Sequence, residues 1–345
     1  MPPIHIDEPP ARHASPAGTP GAPAAGALGP ARDITYLRVS VTDRCNLRCQ
    51  YCMPEEQEFQ PHERLLRYEE IAAVAGVLAR HGVNKVRLTG GEPLVRRDIA
   101  RLVALLKAIP SAPQIVMTTN GMLLAQHARE LREAGLDRLN ISLDTLHAER
   151  FVRLARRPGL QAVLDGIDAA RDAGFQRTKL NMVVMGGIND DELPAMLDFA
   201  AARGLEQRFI EFMPMASNDY GHHAHRVPLA EIRARIEAHA PLVPRPRGSG
   251  PADTFTVAAT GARVGIIAAI SLPFCETCNR VRLTSDGTLR SCLFEGGEVR
   301  IRELVRTGEP GSLEAGLTEA LDFLRRVKPP VHAGHGHAQM NQLGG

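Results

Sequence analysis

Six short runs of branched and apolar residues recur between residues 34 and 240: ITYLRVSV, KVRLTG, QIVMTTN, RLNISLD, KLNMVVM and QRFIEFMP. Helix-length stretches separate them. Ile71, Val74, Ala75 and Leu78 fall at i, i+3, i+4 and i+7, as do Ile99, Leu102, Val103 and Leu106, and Leu193, Met196, Leu197 and Ala200. That spacing gives each stretch one apolar face. Strands alternating with such helices imply parallel βαβ units. Six units are too few for a closed eight-unit barrel and suit an open, partial (β/α)6 barrel of the TIM type. A doubly wound sheet has the same periodicity and stays open as the rival.

The ends of the runs carry the unusual residues. The second leads into Thr89-Gly90-Gly91-Glu92-Pro93 and the third ends in Thr118-Thr119-Asn120-Gly121. The fourth ends in Ser142-Leu143-Asp144 and the sixth in Glu211-Phe212-Met213-Pro214. In parallel α/β architectures the carboxyl ends of the strands form the active-site face. Gly, Asn and Pro also turn a chain where no ligand binds, so no single loop decides. Four polar loops on one face point to a site.

The 345 residues, 44% hydrophobic, are ample for a buried core. A net charge of +2 argues against a protein that coats nucleic acid. No apolar run approaches membrane-spanning length. The first thirty residues are rich in Pro, Ala and Gly, without the basic start and apolar stretch of a secretory signal. Residues 1–32 are therefore read as a disordered lead and the location as cytoplasmic. In a reducing compartment cysteines serve as metal ligands or redox groups rather than disulfides.

The six cysteines fall in two sets. Cys45, Cys49 and Cys52 follow the first run with C-x3-C-x2-C spacing. A structural zinc site wants four protein ligands; this stretch offers three, with His62 the nearest fourth. Four-iron clusters also usually take four thiolates, and three would leave one iron open to a small molecule. Cys275, Cys278 and Cys292 surround a hairpin predicted to turn at Asp286-Gly287. Alone, that set also reads as a zinc ribbon short of one ligand.

The C-x3-C-x2-C motif with Tyr51 before its last cysteine, followed by GGEP after the second strand, resembles the radical S-adenosylmethionine (SAM) enzymes. The second cysteine set and NRVRLT after it resemble, within that superfamily, the GTP 3′,8-cyclases of molybdenum cofactor biosynthesis. The likeness runs from about Thr35 to Gly345 and includes VTDRCNLRCQYC, RLTGGEPLVRRD, TTNG, SLDTL, CNRVRLTSDG and the terminal Gly-Gly. It implies two [4Fe-4S] clusters, one on Cys45, Cys49 and Cys52 that binds SAM, the other on Cys275, Cys278 and Cys292 that binds GTP. It also implies that Tyr51, Gly91, Ser142 and Met213 lie along SAM. A 5′-deoxyadenosyl radical would take hydrogen from C3′ of GTP, and C3′ would join C8 to give (8S)-3′,8-cyclo-7,8-dihydroguanosine 5′-triphosphate. Gly344 and Gly345 would enter the active site and serve catalysis with Arg280 and Arg282. A cyclic pyranopterin monophosphate synthase would take the product, and a separate donor would supply electrons.

Arg38, Arg87, Lys179 and Arg208 lie inside the apolar runs, and Arg280 and Arg282 alternate with Val281 and Leu283 on one strand face. A buried cation is costly unless paired, so an anionic ligand is the economical reading. Arginine suits phosphate because its planar fork donates two parallel hydrogen bonds. The resemblance makes all six GTP contacts, with Thr118 a seventh. The expected organisation is the lead at 1–32, the barrel at 33–242, a C-terminal domain at 243–330 carrying the second cluster, and a flexible tail at 331–345. Residues 243–253 read as a flexible connection, and His222, His223, His225 and the HAGHGH stretch at 332–337 as solvent-facing. Neither nucleic acid nor membrane is expected as a partner; a homodimer is allowed. Two other readings stay open: a peptide-modifying radical SAM maturase with an auxiliary cluster, and a non-catalytic iron–sulfur or zinc module.

Overall fold

The computed structural model describes residues 5–7, 32–215, 222–246, 248, 250–294, 296–331 and 339–343, with the backbone alone at 5–7, 222, 223 and 310. Thirteen strands among them form one sheet. In chain order they are β1 (His5–Asp7), β2 (Tyr36–Ser40), β3 (Lys85–Thr89), β4 (Gln114–Thr119), β5 (Arg138–Ser142), β6 (Lys179–Val184), β7 (Glu206–Glu211), β8 (Leu242–Pro244), β9 (Asp253–Val257), β10 (Arg263–Ile267), β11 (Arg280–Leu283), β12 (Thr288–Arg290) and β13 (Glu298–Arg300). The spatial order is β1-β13-β12-β11-β2-β3-β4-β5-β6-β7-β10-β9-β8.

Strands β2 to β7 are parallel and lie side by side in sequence order. A doubly wound sheet reverses its order near the middle, so that rival is excluded. Crossovers of a single, right-handed sense then place every helix on the same face, and the sheet curls into a barrel that stays open. Helices α1 (Tyr68–Arg80), α2 (Ile99–Lys107), α3 (Leu124–Glu133), α4 (Ala148–Ala155), α5 (Leu160–Asp172) and α6 (Leu193–Ala202) accompany these strands. The apolar stripes read from the sequence on α1, α2 and α6 are all buried. The start of α1 is fixed by Glu70, whose carboxylate accepts from the Arg67 backbone N–H at 2.6 Å. The same carboxylate holds Arg306 at 3.2 Å, which ties α1 to the C-terminal helix Arg302–Thr307.

The strands divide by parity. Leu37, Val39, Val86, Leu88, Leu139, Ile141, Leu180, Met182 and Phe209 are wholly buried among the helices. Their alternates are Tyr36 and Arg38, Lys85 and Arg87, Arg138 and Asn140, Lys179 and Asn181, Glu206 and Arg208, and these line a cavity inside the curl. A period of two makes both faces from one set of strands. Most barrels of this type fill the interior with branched apolar side chains; here the interior is polar and open.

The C-terminal segment does not form a separate layer, so the division expected at 242/243 cuts through one sheet. Strand β10 adds parallel to β7, and β11 adds parallel to β2. An open sheet exposes unpaired backbone at both edges, and these strands satisfy it. Within the stretch expected to be a flexible connection, β8 pairs with β9, and the Arg245 N–H reaches the Thr254 carbonyl at 2.9 Å. At the other edge β1 pairs antiparallel with β13, so the lead expected to be disordered contributes a strand. Of the histidines read as solvent-facing, His225 is anchored instead, with Nδ1 2.8 Å from the Gly186 carbonyl. The HAGHGH stretch lies outside the described residues.

Candidate functional site

Cys45, Cys49 and Cys52 lie on the loop after β2, at the carboxyl end of the parallel strands. All six cysteines are thiols rather than disulfides. Burial raises Cys45 to about 11 and Cys52 to about 12. Cys49 is pushed well above its ordinary value by burial and then by Cys52, Asp144 and Cys45. Thiolates packed this closely repel one another unless positive charge stands between them. Among the described residues no three His, Cys, Asp or Glu side chains converge tightly enough for a single metal ion. Three thiols without a fourth protein ligand fall short of a structural zinc site, and suit an iron–sulfur cluster that leaves one iron open and supplies the missing positive charge.

Gly90 and Gly91 are required by this loop. A Cβ on Gly91 would stand 2.3 Å from the Arg44 carbonyl oxygen and 2.6 Å from that of Asp43. One on Gly90, whose φ is +144°, would stand 2.3 Å from the Thr42 carbonyl oxygen. The gap is closed by Gly91 N–H to Thr42 O at 2.7 Å and Glu92 N–H to Arg44 O at 2.8 Å. Glu92 is buried and pushed up to about 7 by that burial. Its carboxylate accepts from Thr119 Oγ1 at 2.8 Å and from the Asn120 N–H at 2.6 Å. Asn120 Nδ2 then donates to Asn46 Oδ1 at 2.7 Å. One carboxylate thus ties the GGEP and TTNG loops to the cysteine loop.

Tyr51 donates to Asp144 Oδ2 at 2.6 Å, and its ring meets Phe212 edge-on at 6.3 Å. Asp144 accepts from the Val183 N–H at 2.9 Å and is raised to about 6, chiefly by burial. Ser142 ends β5 beside Asn181 of β6. Asn181 Oδ1 is buried without a hydrogen-bond partner, an acceptor left for a ligand. Tyr51, Gly91 and Ser142 therefore lie at the strand ends, while Met213 lines the cavity itself.

The cavity has a volume of about 610 Å³. It brings together Arg38, Arg87, Thr118, Lys179, Arg208, Arg280 and Arg282 from six strands, with Cys275, Cys278 and Cys292. Register sets the cations side by side: Arg282 pairs with Arg38, and Arg38 with Arg87. Arg38 is held well below the usual guanidinium range, first by burial and then by Arg282. Lys179 falls to about 8, by burial and then by Arg208. Glu206 offsets part of this charge, with Oε1 2.7 Å from Arg208 Nη2 and 3.5 Å from Lys179 Nζ. Arg87 Nη1 also donates to Thr118 Oγ1 at 2.7 Å. At the second cysteine set burial opposes ionisation of Cys278, but Arg280 and Lys328 outweigh it and bring the thiol to about 6. Cys278 is therefore poised to ligate a metal as its thiolate.

Several cavity residues were not singled out from the sequence. Tyr36 accepts a hydrogen bond from Arg87 Nε, and the Lys85 ammonium stands 4.9 Å from its ring centre. Burial opposes its ionisation, yet Arg87, Arg38 and Lys85 lower the phenol to about 7. Lys85, Arg138 and Glu206 share the same wall. The available signal was parity: each stands two residues before a position already identified or on the same face of its strand. Asp144 and Glu92 stood within the quoted motifs, but their bonding could not be read there.

Gly344 and Gly345 lie outside the described residues. The helix before them, Met340–Leu343, packs into the site. Leu343 is buried with Met215 and Phe294, and its carbonyl lies 3.4 Å from Arg282 Nη1.

Residues 39–200 match the Radical SAM superfamily, and residues 205–333 match Molybdenum Cofactor Synthesis C. The GTP 3′,8-cyclase of Pelotomaculum thermopropionicum is 44% identical over 323 residues, covering 91% of this chain and 98% of that protein. That of Rhodopirellula baltica is 47% identical over 280 residues, covering 79% and 78%. GTP 3′,8-cyclase 2 of Pseudomonas aeruginosa is 45% identical over 307 residues, covering 87% and 91%. Among solved structures, Streptococcus suis SuiB bound to S-adenosylmethionine superposes with a TM-score of 0.55 at 14% identity, over 76% of this chain and 60% of that one. At that identity the likeness concerns the fold.

Proposed function

This chain belongs to the GTP 3′,8-cyclase family of the radical SAM superfamily, and we propose that the two cysteine sets and the cation-lined cavity between them carry that family's reaction. It is a lyase that converts GTP to (8S)-3′,8-cyclo-7,8-dihydroguanosine 5′-triphosphate, the first step of molybdenum cofactor biosynthesis. Its cofactors are [4Fe-4S] clusters and SAM. The observation that carries the assignment of residues is the convergence on one cavity of three cysteines and a set of strand-borne cations that includes all six expected from the sequence.

Bound at Cys45, Cys49 and Cys52, a cluster with SAM supplies the hydrogen-abstracting 5′-deoxyadenosyl radical. Tyr51, Gly91, Ser142 and Met213 flank SAM, and Asn181 Oδ1 offers it an acceptor. Arg38, Arg87, Lys179 and Arg208 hold the triphosphate; Thr118 orients Arg87 toward it. Arg280 and Arg282 stand between the triphosphate and the second cysteine set, where Cys275, Cys278 and Cys292 present the guanine end. Gly344 and Gly345 serve catalysis with Arg280 and Arg282, a role supported by the Leu343 carbonyl before them, which lies 3.4 Å from Arg282 Nη1.

No described helix is long and apolar enough to cross a membrane. We place the enzyme in the cytoplasm, fed by a low-potential electron donor and followed by a cyclic pyranopterin monophosphate synthase. The test is anaerobic. Reconstituted protein with reductant, SAM and GTP should form 5′-deoxyadenosine and a cyclised nucleotide in step, measured by mass. Deoxyadenosine formed equally well with and without GTP, and no cyclised nucleotide, would remove the assignment.

A further inference from the structure

The second cysteine set is held from behind by two cations that do not line the substrate cavity, Lys328 and Arg32. Helix Pro310–Arg326 is anchored by Leu317, Leu321 and Leu324, all buried. The Val327 N–H still reaches the Phe323 carbonyl at 3.0 Å, so Lys328 follows directly on a fixed element. Its ammonium donates to the Arg280 carbonyl at 2.6 Å and to the Ser291 carbonyl. Arg280 stands two residues after Cys278, and Ser291 immediately before Cys292. Arg32 completes the arrangement: Nη1 donates to the Cys275 carbonyl, and Nη2 to the Pro329 carbonyl at 3.3 Å. The Cys275 carbonyl also accepts the Cys278 N–H at 3.1 Å, the bond that closes the turn between those two cysteines. Each cysteine-bearing segment is thus tied through its backbone either to Lys328 or to Arg32, and Arg32 is tied to the residue after Lys328.

Lys328 is only 3% exposed, and among the described residues no carboxylate pairs with it. Two carbonyls satisfy two of the three N–H groups of an ammonium, but they do not neutralise its charge. Capping two carbonyls needs no charge, and a buried charge is costly unless paired. The arrangement therefore asks for an anion close by. A cluster on three thiolates is a net anion, and Cys292 is joined by one peptide bond to the Ser291 carbonyl that Lys328 grips. The same ammonium is one of the two charges that favour the thiolate of Cys278. Groups that orient ligands from behind are as much a part of such a site as the ligands.

We propose that Lys328 is a positioning residue for the second cluster: its ammonium ties the backbones beside Cys278 and Cys292 to the end of a buried helix, and its charge balances the anion those cysteines hold. Without it the three thiolates are neither fixed at cluster spacing nor compensated in their buried setting, and the second site alone loses its iron. The first cysteine set lies on a different loop, after β2, and keeps its own. The proposal rests on the reading that Cys275, Cys278 and Cys292 hold a cluster.

The test is iron content and electron paramagnetic resonance of the reconstituted, dithionite-reduced full-length protein. The first-site cluster is identified by the change that SAM makes in its signal, the second by the change that GTP makes. Lys328→Met has a side chain of similar length without charge or donors; Lys328→Arg keeps both. Two four-iron clusters give about eight irons per chain. Lys328→Met should hold about four, with the SAM-responsive signal kept and the GTP-responsive signal lost, and Lys328→Arg should recover most of the missing iron and signal. A full complement of iron in Lys328→Met, loss of both signals together, or equal loss in Lys328→Arg overturns the positioning role and leaves the cluster assignment standing. Absence of any GTP-responsive signal in the unaltered protein overturns both.

Discussion

At the scale of single residues the cavity is a problem in charge. Arg38, Arg87, Arg208, Arg280 and Arg282 face a space that also holds Lys85 and Lys179, with Glu206 and Tyr36 as the internal anions among the described residues. A triphosphate resolves that imbalance. Arg280→Ala and Lys179→Ala should each weaken GTP binding by about 1.5–3 kcal/mol, the worth of a hydrogen bond to a charged group, or about ten- to hundredfold. SAM affinity should change far less, and anaerobic calorimetry reads both. The same charges set a pH dependence. In the empty cavity Lys179 titrates at about 8 and Tyr36 at about 7. A bound triphosphate favours the protonated form of each, so above those values binding must take up protons. GTP affinity should therefore fall as pH rises from 7 to 9, by up to about tenfold per unit for each linked proton. Tyr36→Phe should remove the proton uptake that begins near pH 7 and leave that of Lys179. Calorimetry in buffers of different ionisation enthalpy measures the uptake; no difference between Tyr36→Phe and the unaltered protein would show that the phenol stays neutral throughout.

At the scale of elements, the six parallel strands were legible because each buries one face under helices, and most of them repeat Leu, Val, Ile or Met at every second position. The strands flanking them were harder. β1, β8, β12 and β13 have three residues each, too few for a period to register. The cation set was legible because arginine inside an apolar run is conspicuous, whereas Tyr36 is an ordinary strand residue and became notable only when Arg87 and Lys85 were placed beside it. Gly90 and Gly91 were legible as a site but suggest, from sequence, room for a ligand. The structure adds a nearer cause: the carbonyls of Thr42, Asp43 and Arg44 already occupy the space where a Cβ would stand. Gly91→Ala should push the cysteine loop away from the GGEP loop while β11 and the second cysteine set stay in place. Two four-iron clusters give about eight irons per chain. Elemental analysis should find about four in Gly91→Ala, with the SAM-responsive signal lost. A full complement of iron in this variant would mean that the loop yields without losing its cluster.

At the scale of the whole molecule, the chain closes on itself. Its last described helix returns from the C-terminal segment to Asp43 in the cysteine loop, about three hundred residues earlier, by the Asn341 bond to the Asp43 carbonyl. No local pattern in MNQLGG announces this. The segment is short, and its partners come from β11, the cysteine loop and the Phe294 region, which only the finished sheet brings together. Chain ends are ordinarily dispensable because little holds them; here Asn341 and Leu343 are among the most buried residues. Two glycines beyond Leu343 can enter a narrow space where any side chain would clash. Deleting Gly344 and Gly345 should therefore leave the iron content, GTP affinity and slow SAM cleavage close to those of the full chain, because Asn341 and Leu343 remain seated. Formation of cyclised nucleotide should be lost. A synthetic peptide ending in Leu-Gly-Gly, supplied in excess, should restore part of the turnover, since concentration can replace a tethered contact. Product analysis by mass decides it: undiminished cyclisation by the truncated chain would mean that Leu343, not the diglycine, is the last residue the reaction needs.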